Sequence, residues 1–258
     1  MLDFMLRRRT RPVSPPQRDR LRAEWPTVVY AIGDVHGCYD QLHRLTATIQ
    51  ADAAALPGRK LIVMLGDYVD RGPNSAGVLD WLCAAPPTGF DRIALAGNHE
   101  VMMLDFLRDP RPNSSWMDFG GADTLRSYGI DTDAFIKARA KDRQAMLDAL
   151  VPAEHVELLQ SLPSMLMLPN AVFVHAGLRP GLTLDAQHDD DLMWIREPFL
   201  SEPMPEDTVV IHGHTPNPEP VIAERRICVD TGAYATGVLT AVRLNGTDVQ
   251  FLDTKSQA

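Results

Sequence analysis

Five short apolar runs of this chain end the same way, in a glycine-flanked Asp, Asn or His. Val28–Ile32 runs into Gly33-Asp34-Val35-His36-Gly37, and residues 61–65 run into Gly66-Asp67-Tyr68-Val69-Asp70-Arg71-Gly72. Residues 92–96 precede Gly97-Asn98-His99-Glu100, residues 172–174 precede His175-Ala176-Gly177, and residues 209–211 precede His212-Gly213-His214. A brief apolar run stopping at Gly reads as a buried strand entering a tight loop. Ligand sites of open α/β sheets lie outside the carboxyl ends of the strands. Strand ends side by side would therefore converge Asp34, His36, Asp67, Asn98, His175 and His214 on one crevice. Imidazole and carboxylate donors together suit first-row divalent ions such as Mn, Fe or Zn, and this set fits two ions sharing a carboxylate. The central loop adds Asp70 and Arg71, charges that a mere chain reversal does not need. An anion-holding arginine explains them, and so does a solvated acidic turn with a local ion pair.

Between the motifs the period changes. Leu42, Leu45, Ile49, Ala53 and Leu56 recur at helical spacing, and Pro57-Gly58 end that helix. Asn74-Ser75 predict a helix cap ahead of Val78, Leu79 and Leu82, and residues 100–107 continue the third motif as a helix. A β-α-β-α-β-α series is the signature of an α/β fold. Residues 109–162 interrupt it with Trp116, Gly120-Gly121 and two charged helical stretches, which predict a helical cap insert beside the crevice. Asp118, Asp123 and Asp131 there read as caps and solvated positions. The remainder is strand-rich, with turns at Pro169-Asn170 and Asn245-Gly246, the latter pair being a strong hairpin signal. The expected architecture is one α/β domain over residues 27–254: two packed mixed β-sheets flanked by helices, with the cap insert at about 109–162.

Charge narrows the partners. The formal net charge is −9, yet residues 1–26 hold Arg7, Arg8, Arg9, Arg11, Arg18, Arg20 and Arg22 against only Asp3, Asp19 and Glu24. The body is thus more acidic than the whole, a poor match for a nucleic-acid backbone. Residues 1–26, with Pro12, Pro15 and Pro16, read as a disordered basic tail. Cys38, Cys83 and Cys228 are too few and too widely spaced for a disulfide framework and favour a reducing compartment. Cys38 reads as a small packed residue. No run approaches the ~18 apolar residues of a membrane span, so a cytoplasmic protein is expected.

Taken together, the first three motifs resemble the signature of the calcineurin-like metallophosphoesterases, and more narrowly the phosphoprotein (serine/threonine) phosphatase branch in its bacterial and phage-like form. His175-Ala176-Gly177 and Gly213-His214 match that family's later histidine motifs, and the resemblance covers about residues 28–240 in the family's order. It implies that Asp34 and His36 bind a first metal, that Asp67 bridges both, and that Asn98, His175 and His214 complete the second. Mn is the expected ion, with Fe or Zn as alternatives. Two ions ~3.5–4 Å apart lower the pKa of a shared water and clamp a phosphoryl group, so a bridging hydroxide would attack phosphorus directly, without a phosphoenzyme. Arg71 and Arg196 match phosphate-binding arginines, and Asn98 borders the same substrate position. The other reading of Arg196 is an ion pair with Glu197 or the run Asp189-Asp190-Asp191. His99 resembles the general acid, with Asp70 holding its imidazole in one tautomer; the alternative is a hydrogen-bond donor outside the metal ligands. His212 is expected to support the site from behind, Tyr234 to border it and Trp194 to pack. His43 reads as a surface residue, and His155 and His188 as structural.

The resemblance points first to a metal-dependent phosphomonoesterase acting on phosphoserine or phosphothreonine in proteins. A symmetrical dinucleoside polyphosphate hydrolase is the alternative. That branch typically lacks the Asp before Arg-Gly and reads Asn-His-Asp, whereas this chain has Asp70 and Glu100. A non-catalytic phosphate-binding module would be expected to have lost a ligand, and none is missing. Phosphoprotein or phosphopeptide is the expected partner.

Overall fold

The computed structural model describes residues 17–204, 207–246 and 248–255. In chain order the elements are β1 (Arg20–Arg22), β2 (Val28–Ile32), α1 (Tyr39–Ala53), β3 (Lys60–Met64), α2 (Ser75–Cys83), β4 (Phe90–Ala94) and α3 (Asn98–Arg108). The insert follows as a π-helical turn at Met117–Gly121, then α4 (Ala122–Ser127), α5 (Thr132–Lys137), α6 (Ala140–Leu150) and α7 (Ala153–Ser161). The last part holds β5 (Met165–Leu168), β6 (Ala171–Val174), α8 (Asp189–Trp194), β7 (Val209–His212), β8 (Val221–Ala223), β9 (Arg226–Cys228), α9 (Ala233–Thr236), β10 (Thr240–Asn245) and β11 (Asp248–Asp253).

Every residue of β2 is buried, because its two faces meet different partners. Successive side chains of a strand point to opposite faces. Val28, Tyr30 and Ile32 pack with Leu42, Leu45 and Ile49 of α1, while Val29 and Ala31 pack with Leu166, Phe173 and Ile211 of the other sheet. Strands apolar on both faces need cover on both. The cover here is a helical layer outside and a second sheet inside. The five-stranded sheet has the order β11-β10-β2-β3-β4, and the six-stranded sheet β1-β5-β6-β7-β9-β8. Pairing is parallel at β2–β3, β3–β4, β6–β7 and β7–β9 and antiparallel at β10–β2 and β5–β6, so both sheets are mixed, as expected. A third apolar cluster, with Met165, Val174, Leu192, Ile195 and Phe199, covers the far face of the second sheet.

Local signals held where they were expected. The Asn74 side chain accepts the Gly77 amide as the cap of α2, and Asp131 caps α5 by accepting from Asp133 and Ala134. The charged helical stretch after residue 132 is two helices, broken at Ala138-Arg139, both in extended backbone. The basic tail needs correction. Residues 1–16 lie outside the described residues, but from Gln17 the chain joins the fold, and β1 pairs in parallel with β5. The cause is hydrogen bonding: the Arg18 guanidinium donates to the carbonyls of Leu159 and Leu162, and that of Arg20 to Leu184 and Asp185. No helix among the described residues is long and apolar enough to cross a membrane.

Candidate active site

The loops after β2, β3 and β4 come from one sheet and those after β6 and β7 from the other, so the crevice is built across both. Its backbone is bent sharply: His36, Asp67, Asp70, Arg71 and His214 all have positive φ, between 44° and 76°. Each such residue costs on the order of 1 kcal/mol and persists only where surroundings over-determine it. Much of that determination comes from Glu100, fully buried in the first turn of α3. Its Oε2 accepts the amides of Asp67 at 2.8 Å and Gly97 at 2.9 Å, and its Oε1 accepts that of Tyr68 at 2.7 Å. At Gly97 a Cβ would stand 2.2 Å from Asp67 Oδ1, so only glycine lets this loop approach.

Asp67 lies at the centre. His36 Nε2 is 3.5 Å from its Oδ2, and His175 Nε2 is 3.4 Å from its Oδ1. His175 Nε2 also lies 3.0 Å from Asn98 Oδ1 and 3.2 Å from His214 Nδ1. The far ring nitrogens are committed: His36 Nδ1 donates to the Val69 carbonyl at 2.8 Å and His175 Nδ1 to that of Leu65 at 2.9 Å. Each Nε2 therefore presents a lone pair to the carboxylate, the arrangement by which proteins fix metal-binding imidazoles. Burial keeps these rings neutral, pulling His36 well below its ordinary value, His175 to about 3 and His214 to about 2. His214 Nε2 is buried without a hydrogen-bond partner. Lone pairs aimed at one another around a carboxylate are the donor set of a divalent cation site. His36, Asp67 and His99 group on one side, and Asp67, His175 and His214 on the other.

Asp34, expected beside His36, is buried and accepts the His214 amide at 3.2 Å. Burial lifts its pKa well above the usual carboxylate range, with Asp230 and Asp67 adding to the rise. Asp230, buried next to it and hydrogen-bonded to it, was not singled out in the sequence. The signal was present in residues 227–230, a short apolar run ending in Asp-Thr-Gly. Burial raises Asp67 to about 6, opposed by His99 and Arg71.

His99 and Asp70 form the expected pair, with Nδ1 2.6 Å from Oδ2 in a buried setting. Burial raises Asp70 to about 8, while hydrogen bonds from Thr124 and Trp116 act to lower it. Arg71 donates to His36 Nε2 and His99 Nε2, both at 3.1 Å, and its guanidinium lies 4.7 Å from the Tyr234 ring. Tyr234 borders the site as expected, exposed and edge-on to His36.

Arg196 reaches the crevice, donating to the His214 carbonyl at 3.5 Å. Two of its alternative ion-pair partners are engaged elsewhere, Asp191 by Arg179 and Asp189 by Arg20. Trp194 corrects the sequence reading. It is exposed at the last turn of α8, because that helix buries Leu192 and Met193 instead. His212 is buried against Phe199, with Nδ1 donating to the Gly213 carbonyl. His155 is structural, between Tyr128 and Asp80, and His43 and His188 are exposed. Cys38 is buried with its thiol toward the His36 carbonyl.

Comparison with known proteins agrees with this geometry. The sequence profile of the calcineurin-like phosphoesterases matches residues 27–249. The chain is 30% identical to serine/threonine-protein phosphatase 1 of Salmonella typhimurium, covering 84% of this chain and 91% of that protein. It is 31% identical to the symmetrical bis(5'-nucleosyl)-tetraphosphatase of Paracidovorax citrulli, covering 73% of this chain but 58% of that one. Among solved structures a cold-active protein tyrosine phosphatase superposes with a TM-score of 0.60 at 19% identity, covering 91% of this chain and 78% of that chain, which is a likeness of fold. The crossed-sheet crevice, its neutral imidazoles around Asp67 and the profile match over nearly the whole chain lead to one assignment: this chain belongs to the calcineurin-like metallophosphoesterase family, in keeping with the phosphoprotein phosphatase branch.

Proposed function

We propose that this protein is a metal-dependent phosphomonoesterase that hydrolyses phosphoserine and phosphothreonine in proteins. The observation that carries the reading is the buried Asp70–His99 pair beside the Asp67 cluster. A serine or threonine alkoxide is a poor leaving group and needs a proton, and a positioned acid contributes typically 10²–10⁴-fold to such a step. Asp34, His36, Asp67, Asn98, His175 and His214 would hold two divalent cations, Mn first among them. When bound, these supply a water activated for in-line attack and positive charge against the phosphoryl oxygens. Arg71 and Arg196 bind those oxygens from the protein side, where fixed cations stabilise charge as it develops. Asn98 orients the group from the mouth of α3. For this step His99 must be the imidazolium, its Nδ1–H on Asp70 and a second proton on Nε2 where Arg71 donates in the structure, and that Nε2 proton goes to the departing oxygen. All three cysteines are free, which supports a reducing, cytoplasmic setting.

The second reading, hydrolysis of dinucleoside polyphosphates, draws support from the tetraphosphatase relative at similar identity. One experiment separates the two. With Mn²⁺ present, a phosphothreonine peptide and diadenosine tetraphosphate compete in one tube. Preferential hydrolysis of the peptide is expected, by kcat/KM, and preferential cleavage of the dinucleotide moves the protein to the second reading.

A further inference from the structure

The insert was expected as a cap beside the crevice, and its most specific contacts run to Asp70. Trp116 Nε1 donates to Asp70 Oδ2 at 2.8 Å, and the Thr124 hydroxyl donates to Oδ1 at 2.7 Å. The same hydroxyl accepts the Asp70 amide at 2.8 Å and stands 3.0 Å from Ser75 Oγ, which also faces that amide. Trp116, Thr124, Ser75 and Asp70 are all buried, so water does not replace these donors. Trp116 is held in turn against Phe106, with ring centroids 4.5 Å apart. Gly120, at φ 105°, presses the insert backbone onto Arg71. Its carbonyl accepts the Arg71 amide at 3.3 Å, and a Cβ there would stand 2.6 Å from that nitrogen.

Ionised, the Asp70 carboxylate only accepts hydrogen bonds, through two oxygens with about four lone-pair directions, and the donors around it favour that form. Thr124 occupies Oδ1 and Trp116 shares Oδ2 with His99 Nδ1. Rotation of the carboxylate would break both contacts with the insert at once. Asp70 sits at φ 76°, in a loop where no helix or sheet ladder fixes its side chain. What fixes it is the insert.

We propose that Trp116 and Thr124 are positioning residues, clamping the Asp70 carboxylate so that it holds His99 in one ring orientation and one tautomer. The inference rests on the reading of His99 as the acid. In that step the P–O bond breaks toward the leaving oxygen, which takes the Nε2 proton of the His99 imidazolium and leaves the neutral Nδ1–H ring on Asp70. Water supplies the new P–O bond and releases its own proton to solvent, from which His99 is recharged.

Trp116→Phe keeps the ring packing and loses the donor; Thr124→Val keeps the volume and loses the hydroxyl, which Thr124→Ser restores. Outer-shell partners of this kind cost about 10–100-fold when removed. The expected result is a kcat on a phosphoserine peptide reduced about tenfold or more in W116F and T124V and recovered in T124S. On p-nitrophenyl phosphate, whose leaving group needs no proton, kcat stays nearly unchanged, as does metal stoichiometry by calorimetry. In the metal-free protein, ¹⁵N shifts of the His99 ring should report a single Nδ1–H tautomer in the parent and T124S, and a mixture in the other two. Equal losses on both substrates, or a single tautomer throughout, overturn the inference. If T124V does not fold, W116F decides it alone. His99→Asn separates the two levels: if it spares neither substrate, the acid reading fails and the clamp with it, whereas a selective H99N beside non-selective clamp variants removes the clamp only.

Discussion

The two halves of the cluster share Asp67 but differ in what faces their imidazoles. On one side Arg71 donates to both His36 and His99 at 3.1 Å, so the protein's own cation already stands against those lone pairs. On the other side His175 faces Asn98 Oδ1, His214 Nδ1 and Asp67 Oδ1, and among the described residues no guanidinium donates to it. Chemically similar residues thus make unequal sites. A divalent ion entering the His175 half meets neutral, pre-oriented rings. One entering the His36 half competes with Arg71 for the same nitrogen.

The two halves depend on each other most at the shared carboxylate. Asp67→Asn removes the charge common to both halves, and losing the one carboxylate shared by both groups should exceed the ~100-fold upper cost of losing an outer-shell partner. Activity on p-nitrophenyl phosphate with Mn²⁺ is expected to fall beyond that, with neither ion bound tightly in calorimetry. One tightly held ion and near-parental activity would mean that the halves do not depend on Asp67 in common.

Single changes in each half should then act in opposite directions on binding. Mn²⁺ titration of the parent is expected to show two steps. His214→Ala should weaken the tighter one. Arg71→Ala, by removing a charged hydrogen-bond donor from His36, should tighten the weaker one about tenfold, since such bonds are worth about 1.5–3 kcal/mol. A weaker second step in R71A would show that Arg71 supports that half rather than competing with the ion.

The smallest effect sharpens the electrostatics. The rings are already neutral, His175 near 3 and His214 near 2, so the proton displaced on metal binding comes from carboxyl groups, with Asp67 at about 6. Proton and cation compete, so affinity should fall as pH drops through about 6, where Asp67 takes up its proton, with the raised Asp34 carboxyl extending the dependence, about tenfold per unit for each proton displaced. Calorimetry in buffers of different ionisation enthalpy measures that proton directly. A fall centred near 6.5 with no carboxyl proton released would return the titration to histidine.

The site residues were legible because each sits in a local pattern. An apolar run predicts a buried strand, the glycine predicts its end, and the polar residue just after lies where such strands deliver ligands. Asp34, His36, Asp67, Asn98, His175 and His214 follow from that logic one loop at a time. The cap at Asn74 and the hairpin at Asn170 belong to the same short range. Trp194 shows the limit, since an apolar residue on a six-residue helix can face either way and the neighbours decided.

Long-range packing set which groups stand behind each candidate ligand. Glu100 bracing two amides of the Asp67 loop, Asp230 against Asp34, Trp116 and Thr124 on Asp70, and β1 joining β5 all join residues that no repeat or spacing connects. The Trp116 and Thr124 contacts span 46 and 54 residues. Strand and helix periods record which face of an element is apolar, and they are written locally. A buried carboxylate's partners are set by packing, because desolvation forces it to find donors wherever the fold brings them close.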